Sequence, residues 1–489
     1  MKNKRRFLLV IALTVLIASL FSACTSPMQN TAKDIAITPQ SAGISTGETT
    51  NISLNGFDGE ITWSSSDPYV VNVNNGVVTG GHKSGTATIT AKIGEKPGEQ
   101  TYTCTVKNTA TMRDISPSQM VAEMKLGTNF ARSLDQVGWD RNIGYDEYTE
   151  PRFSDYSKIR YYLMKYLYIP TPKTLSAFSK VGYNAVRLNV SFSLFTDDKT
   201  FVIDKEFLDL LEEIVNKFLD NGMYCIIDPH YDYLGRSWVG DRWEQNWMAD
   251  EYKDYVDKRY AAIWSQVAER FKDYDDHLLF EAMNEPADGD KVYEEGGPYF
   301  GRYEEFERYN KKRVDEINEL FVKTVRTTGG NNTRRVLSVS PMKQVTDYLG
   351  DFKTPSDDRL IVQVHYYFNK DDGSHPSSWK SNNPADTKQI DEAFDRIKKF
   401  KDRTGLPVIL GEWGNAENLP LNDRIDQAKY IINKAKNLGL PAFWWESTKL
   451  LRNQTDYDRW SLYNRSANEW YWPELIDAIS SVIYDKLNS

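Results

Sequence analysis

The sequence predicts an α/β protein in which a small β-sandwich precedes a (β/α)8, or TIM, barrel. Residues 113–489 alternate apolar, strand-like runs with amphipathic helical runs, and eight such pairs are what a closed parallel barrel requires. Residues 34–108 instead hold short alternating runs separated by turn residues, which is typical of an antiparallel sandwich. A chain of 489 residues is long enough for both domains.

The charge balance and the cysteine count exclude several classes of protein. The chain has 60 Lys and Arg against 69 Asp and Glu, so no basic excess is available for nucleic acid. Its three cysteines, Cys24, Cys104 and Cys225, are too few and too far apart for a disulfide framework or a cysteine metal site. Nucleic acid is therefore not an expected partner. Cys225 is expected to be a small buried residue of a strand.

Residues 1–24 read as an export signal. Basic residues among the first six precede an apolar run from Phe7 to Phe21, which is too short to span a bilayer as a helix. The stretch Phe21-Ser22-Ala23-Cys24 resembles a bacterial lipobox, which implies cleavage before Cys24 and lipidation of its sulfur. Residues 25–33 would then be a tether, and the protein an exported cell-surface or outer-membrane lipoprotein attached to the membrane by its lipid. Plain secretion with an incidental cysteine is the alternative.

The β module covers residues 34–108. Its strand-like runs are IAIT, TNISL, EITWSS, VVNVN, GVVTG, GTATITAKI and TYTCTV. Their spacing, with Asn75-Gly76 and Gly80-Gly81 as turn signals, indicates a β-sandwich of immunoglobulin-like type. Trp63 is expected in the module's core and His82 in a loop.

Several motifs of this module resemble the bacterial immunoglobulin-like group 2 repeat. In chain order they are Gly47-Glu48, WSSSD at 63–67, Gly76-Val77-Val78 and GTATIT at 85–90. The resemblance implies a module of that type over its whole length. A spacer role is favoured over sugar binding.

The barrel begins with a helix signal at Ser116-Pro117-Ser118-Gln119, in which serine is the cap and glutamine follows three residues later. The eight strand candidates are Met124–Phe130, Asn184–Val190, Tyr224–His230, His277–Glu285, Arg335–Pro341, Leu360–Tyr367, Pro407–Gly414 and Pro441–Ser447. Amphipathic helical runs separate them, several ending in glycine, and the weakest is QVTDYLGDFKT after strand five. The insertion from Asp135 to Thr171 is expected to form loops at the barrel mouth.

Polar residues collect where the predicted strands end. They are Asn129, Arg187, Asp228, His230, Asn284, Glu285, His365, Tyr367, Glu412 and Trp445. Because all strand ends of a parallel barrel face one side, these side chains are expected to converge in one pocket. Glu281, four residues before Glu285, is expected nearer the floor in a structural role.

Glu285 and Glu412 would face each other from different walls of the barrel. Cleavage of a glycosidic bond needs one carboxyl group to protonate the leaving oxygen and a second to attack or stabilise the anomeric carbon. A separation of about 5 to 5.5 Å predicts retention of configuration and about 6.5 to 9.5 Å predicts inversion. Arg187 could keep a nearby carboxylate ionised, and Trp445 offers a flat face for a sugar ring.

The ordered motifs of the barrel resemble glycoside hydrolase family 5, the cellulase family, and most of all its subfamily 4. They include LFEAMNEP at 279–286, VHYY at 364–367, LPVILGEWG at 406–414 and LPAFWW at 440–445. GYNAVRLNV and FVKTVRTTGGNNTRRVL strengthen the resemblance to the subfamily. The match extends from about residue 117 to 480.

The resemblance implies a retaining hydrolase that needs no metal or other cofactor, with Glu285 as general acid and base and Glu412 as nucleophile. Six further residues would bind substrate or orient these two groups: Arg187, His230, Asn284, His365, Tyr367 and Trp445. The expected protein is a monomeric endo-β-1,4-glucanase that degrades plant cell-wall polysaccharide.

Several alternatives stay open at this point. Xyloglucan, mixed-linkage glucan and mannan are the alternative polymers, because the contacts that choose a sugar are not placed by sequence. A metal-dependent barrel hydrolase could use Asp228, His230 and His365. A surface glycan-binding lipoprotein without catalytic activity is the alternative from another class.

Overall fold

A computed structural model of the chain describes residues 34–135, 169–192, 195–197, 199–230, 250–287, 301–368, 378–415, 419–446 and 460–484. These residues form a β module followed by a closed barrel, as the sequence predicts. Residues 1–33, which hold the export signal, Cys24 and the tether, lie outside the described residues. So does most of the insertion between Asp135 and Thr171.

The β module is built from three small sheets. Its strands are β1 (Ala36–Thr38), β2 (Ser41–Ser45), β3 (Thr49–Asn51), β4 (Ser53–Asn55), β5 (Thr62–Ser65), β6 (Val71–Asn74), β7 (Val77–Gly80), β8 (Gly85–Ile93) and β9 (Gln100–Thr109). The sheet orders are β2-β9-β8-β5, β3-β7-β6 and β1-β4. Alternate residues of the long strands face one apolar core, which includes Val71, Val78, Ile89 and Val106. Trp63 packs against this core, as predicted.

The turn signals of the module are confirmed, but one strand was missed. Asn75 and Gly76 both have positive φ, 49° and 79°, and form the two-residue hairpin loop between β6 and β7. Ser41–Ser45 was not predicted, because it has little β-branched character. It forms because it pairs in parallel with β9.

The barrel closes through eight parallel strands, which confirms the main prediction. They are β10 (Leu126–Leu134), β11 (Ala185–Val190), β12 (Tyr224–Pro229), β13 (Leu278–Glu281), β14 (Leu337–Val339), β15 (Leu360–Tyr367), β16 (Val408–Gly414) and β17 (Ala442–Trp444). Each strand pairs with the next, and β17 pairs with β10 to complete the ring. β11 and β12 are buried along their whole length, because helices cover the outside of the barrel.

The described helices are α1 (Pro117–Glu123), α2 (Pro172–Val181), α3 (Lys205–Leu219), α4 (Asp250–Phe271), α5 (Tyr303–Thr327), α6 (Pro384–Thr404), α7 (Leu421–Asn437) and α8 (Pro473–Ile483), and a hairpin of β18 (Tyr463–Asn464) and β19 (Glu469–Trp470) precedes α8. α1 begins with the predicted capping box of Ser116 and Gln119. The predicted weak helix after β14 is instead two short 3-10 turns, Met342–Gln344 and Thr346–Leu349. An α-helix cannot form there because Lys343 and Gln344 have positive φ.

The interior of the barrel changes from apolar at its floor to polar at its mouth. α1 closes the floor and packs on a layer that includes Ala185, Ile226, Leu279 and Ile361. Successive side chains of a strand alternate between faces, so the residue two positions later points inward again. Those positions hold polar residues: Arg187, Asp228, Glu281 and Gln363.

The β module contacts the floor of the barrel. Lys83 forms an antiparallel bridge with Tyr274, Ser84 donates its backbone N–H to Asp273, and Asp275 donates its own to His82. These barrel residues precede β13, so they lie at the opposite end from the strand ends. Within the described residues, no helix has the length and apolarity to cross a membrane.

Candidate active site

The mouth of the barrel brings together every catalytic and substrate-binding residue that the sequence predicts. Arg187 is the centre of the arrangement and is fully buried. Its Nε and Nη2 donate to the two carboxylate oxygens of Glu281, each at 2.7 Å. Nη1 donates to Glu412 Oε1 at 2.7 Å and to Asn129 Oδ1 at 3.0 Å. Nη2 also donates to Asn284 Oδ1 at 2.8 Å, so Arg187 links three walls of the barrel.

Asp228 and His230 extend this network across the third strand. Asp228 Oδ1 lies 3.0 Å from Arg187 Nη2, and Asp228 Oδ2 lies 2.8 Å from His230 Nδ1. Asn189 contacts both Asp228 and the His230 ring. Trp445 stacks on the His230 ring with centroids 4.9 Å apart and an angle of 17°. Trp445 is only partly buried.

Glu412 is held as an acceptor by two donors. Arg187 donates to Oε1 and the Tyr367 hydroxyl donates to Oε2 at 2.9 Å. The side chain is only 6% exposed. Burial and the adjacent Glu412 carboxylate both raise the pKa of Tyr367, so its hydroxyl stays protonated and can donate. A carboxylate fixed in this way suits attack on an electrophilic carbon.

Glu285 lies just beyond β13 and opens into the pocket. β13 ends at Glu281 rather than at Glu285 as predicted, because residues 282–285 turn out of the sheet and Glu285 has a φ of 38°. Gln344 stabilises this strained conformation by accepting the Glu285 backbone N–H at 2.8 Å. Nearly half of the Glu285 side chain, 48%, is exposed. Desolvation by the surrounding walls raises the pKa of its carboxyl group, which favours a protonated acid.

His365 stands between the two carboxyl groups. Its Nδ1 lies 2.9 Å from Glu285 Oε1 and 3.6 Å from Glu412 Oε2. Burial lowers the pKa of His365 to about 3, so the ring is neutral near pH 7. The amide nitrogen of Gln363 donates to Glu281 at 2.7 Å and lies 3.3 Å from His365 Nε2. Nε2 is therefore the acceptor, and Nδ1 carries the proton that faces the glutamates.

The two carboxyl groups face each other across a narrow gap. Oxygen atoms of Glu285 and Glu412 and a ring nitrogen of His365 all lie within 4.8 Å of one another. A closest approach of the two carboxyl groups within this limit agrees with the roughly 5 to 5.5 Å separation of retaining glycosidases rather than the roughly 6.5 to 9.5 Å of inverting ones. The geometry thus allows one glutamate to attack while the other transfers a proton.

Two supporting residues were not predicted from sequence. Gln344 fixes the turn at Glu285, and Gln363 sets the tautomer of His365. Gln363 could have been found by the period of two, since it precedes His365 by two residues on the same face. Gln344 could not, because it lies in an irregular turn. Glu281 is buried and paired with Arg187, in agreement with its predicted structural role.

The metal-binding set that the sequence offers as an alternative is not assembled among the described residues. Asp228, His230 and His365 do not form one group of possible metal ligands within the described residues. Glu285, His365 and Glu412 do lie close enough to hold an ion. However, the Arg187 guanidinium already occupies Glu412 Oε1 and supplies the local positive charge. The donor set therefore serves hydrogen bonding and proton transfer without requiring an ion.

A parallel barrel with two facing glutamates at its mouth defines the class of glycoside hydrolases. The family model of Cellulase (glycosyl hydrolase family 5) matches residues 147–450, and the chain belongs to this family. It is a hydrolase of O-glycosyl bonds.

Relatives and solved structures agree with this assignment. The chain is 31% identical to Cellulase/esterase CelE of Acetivibrio thermocellus over 381 residues, which cover 75% of this chain and 40% of that one. It is 29% identical to Endoglucanase B of Ruminococcus albus over 386 residues, which cover 78% and 83%. The structure of a GH5-4 broad specificity endoglucanase from Clostridium cellulovorans superposes with a TM-score of 0.61 at 25% identity, covering 77% and 98%.

Proposed function

We propose that this protein is a retaining endo-β-1,4-glucanase of subfamily 4, with Glu285 as acid and base and Glu412 as nucleophile. The observation that carries the proposal is the contact distance of the two carboxyl groups, within 4.8 Å, each with partners that suit its role. Arg187 and Tyr367 each donate a hydrogen bond to Glu412, which orients it for attack, while desolvation favours a protonated Glu285.

The reaction takes two displacements at one anomeric carbon. In the first, Glu412 Oε attacks that carbon and Glu285 gives its proton to the departing glycosidic oxygen, which releases the shortened chain. In the second, Glu285, now ionised, takes a proton from water while the water oxygen attacks the same carbon and Glu412 leaves. Configuration is inverted twice and so retained.

The neighbouring polar groups would hold the sugar at the cleavage point. The side-chain oxygen of Asn284 accepts a hydrogen bond from Arg187. Among the described contacts, the amide nitrogen of Asn284 remains as a donor for a sugar hydroxyl. Trp445 and His230 form a stacked pair beside Glu412, and Trp445 would pack against the face of a pyranose ring. His365 would donate to whichever glutamate is ionised.

The substrate class rests on the relatives. Six relatives are called endoglucanases, and the structural relative from Clostridium cellulovorans is described as a broad specificity endoglucanase. β-1,4-Glucan is therefore the proposed main substrate, with xyloglucan and mixed-linkage glucan as further polymers and mannan as the least favoured. The matched region covers only 40% of CelE. Esterase activity, which the name of CelE also includes, is therefore not proposed for this chain.

A polymer panel tests this proposal. Protein from Thr25 onward, which keeps every described residue, would be assayed for reducing ends on carboxymethylcellulose, xyloglucan, mixed-linkage β-glucan and mannan. We expect internal cleavage of the glucans, seen as a rapid fall in viscosity. Glu285→Gln provides the control for contaminating activity. Absence of glucan cleavage, with mannan cleaved efficiently, would contradict the assignment.

Removing one hydroxyl beside the nucleophile should lower turnover. Tyr367→Phe deletes the 2.9 Å hydrogen bond to Glu412 Oε2, and hydrogen bonds to charged groups contribute about 1.5 to 3 kcal/mol. We expect kcat to fall about 10- to 100-fold with little change in KM. The matched control is Tyr366→Phe on the same strand, where the ring packs against Phe394 outside the barrel and activity should be retained. Equal effects of the two variants would argue against a role for Tyr367.

The pH dependence of activity should report the raised pKa of Glu285. The acid must be protonated for the first displacement, so kcat/KM should fall as pH rises through that pKa, which lies above the ordinary 4.5. His365, with a pKa of about 3, is neutral throughout this range and does not produce the alkaline limb. With an aryl cellobioside of moderate reactivity, whose leaving group still needs a proton in the wild type, Glu285→Gln should lose that limb. An unchanged limb in this variant would exclude Glu285 as its source.

For the N-terminal region we propose a lipid anchor at Cys24 followed by a tether and a spacer module of the bacterial immunoglobulin-like group 2 type. Contact of the module with the barrel floor supports a spacer, because it leaves the mouth free. In a bacterial host, the protein should label with radioactive palmitate and sediment with membranes. Cys24→Ala should abolish the label and release the enzyme, and an unlabelled native protein would favour plain secretion.

A further inference from the structure

We propose that His82, Asp275 and His277 form a binding site for Zn²⁺ at the junction of the β module and the barrel. His82 comes from the loop after β7 of the module. Asp275 and His277 come from the loop between α4 and β13 on the barrel floor. One donor atom of each residue lies within 4.8 Å of the others. The catalytic glutamates are at the opposite end of the barrel, so the site is separate from the chemistry.

The distances are close to those of a zinc site. His82 Nδ1 lies 2.9 Å from Asp275 Oδ2, and His277 Nδ1 lies 3.2 Å from Asp275 Oδ1. With zinc–ligand bonds of about 2.0 to 2.2 Å, the ligand atoms of a tetrahedral site lie about 3.3 Å apart. The two nitrogens contact different oxygens of Asp275, and the three donor atoms lie within 4.8 Å of one another, so the side chains must draw together around the ion.

Neighbouring contacts hold the three side chains in place. The His82 ring packs edge-on against the His277 ring with centroids 5.2 Å apart, and its Nδ1 faces Asp275. The backbone N–H of His277 donates to Asp275 Oδ1 at 3.0 Å. The His277 ring stacks on Tyr224 with centroids 4.9 Å apart. Such outer contacts are typical of metal-binding histidines and carboxylates.

The charge of the surroundings favours a cation. The Asp275 carboxylate is 4% exposed and lies between the two imidazole rings, with one oxygen facing each of them. Asp220 also attracts positive charge toward the His82 ring. Two imidazoles with one carboxylate select zinc-like ions over Ca²⁺ or Mg²⁺, which prefer oxygen ligands. His277 is 26% exposed, which leaves a path for the ion and room for a water as fourth ligand.

A bound ion would connect the two domains. It would join one residue of the module to two of the barrel, beside the backbone bridge of Lys83 and Tyr274. Because the ion binds only the folded junction, it should raise the temperature of unfolding.

Equilibrium dialysis of protein without a histidine tag, stripped with a chelator, tests this site. We expect binding of about one Zn²⁺ per chain that His82→Gln and His277→Gln each weaken at least tenfold. Glutamine keeps hydrogen-bonding capacity, and both variants should retain activity and the unfolding temperature of the ion-free protein. The double variant Glu285→Gln/Glu412→Gln removes the second group of possible metal ligands among the described residues and should still bind the ion.

Two results would overturn the site. One is the absence of binding at 0.1 mM free Zn²⁺, a concentration at which even a weak surface site would bind the ion. The other is binding that survives both glutamine variants or disappears in the double glutamate variant. A zinc-dependent rise in the unfolding temperature, present in the native chain and absent in His277→Gln, would support it independently of dialysis and of activity.

Discussion

Replacing Glu412 with alanine should abolish hydrolysis of β-glucan, with a loss of at least about 10⁴-fold in kcat. The substitution removes the only group placed to attack the anomeric carbon in the described pocket. The fold should persist because Arg187 keeps Glu281 and Asp228 as acidic partners. Thermal unfolding measured by circular dichroism checks this, and the exposed Glu474→Ala is a control that should keep full activity.

Chemical rescue makes the Glu412 prediction specific. Azide can enter the space left by the carboxylate and attack the anomeric carbon of an activated β-glycoside from the same side. One displacement inverts configuration, so the expected product is the α-glycosyl azide. Formation of the β-glycosyl azide would assign a different role to Glu412.

Replacing Glu285 with alanine should be almost as damaging on polysaccharide, because the departing sugar oxygen then leaves without a proton. General acid catalysis contributes about 10²- to 10⁴-fold, so the loss should fall in that range. A dinitrophenyl cellobioside does not need the proton, and its first displacement should stay fast. The second should then limit the rate, which is visible as a burst of dinitrophenol.

Azide distinguishes the two glutamates. In Glu285→Ala the sugar is first transferred to Glu412, and azide then displaces it from there. Two inversions yield the β-glycosyl azide, the opposite of the product expected for Glu412→Ala. His365, whose Nδ1 lies 2.9 Å from Glu285 Oε1, is unchanged in Glu285→Ala. A failure of azide to restore activity could therefore not be explained by a missing histidine. If neither variant gives an azide adduct, the assignment of roles fails.

The barrel and the catalytic residues could be predicted because their signals are local. Apolar runs of strand length mark the eight strands, and the polar residues that end them must meet at one face. The predicted pairing of Arg187 with a nearby carboxylate is seen in its 2.7 Å contact with Glu412. The position of Glu285 was less predictable, since β13 ends four residues earlier than expected.

Features that depend on long-range contacts could not be read from the sequence. Gln344 lies in a turn in which Lys343 and Gln344 both have positive φ angles. Neither residue type predicts such a backbone conformation. Ser41–Ser45 forms a strand because its backbone pairs in parallel with β9. His82 was expected in a loop and lies in one, but its contact with Asp275 joins residues 193 positions apart. Such pairs follow from domain packing and leave no periodic signal.

The stereochemistry of hydrolysis tests the central claim most directly. Proton NMR of a cellooligosaccharide digest, recorded within the first minutes, shows which anomer of the new reducing end forms before mutarotation. Two glutamates within 4.8 Å predict that the β-anomer appears first and the α-anomer only later. Initial release of the α-anomer would show that water attacks directly, and it would contradict a covalent bond between the sugar and Glu412.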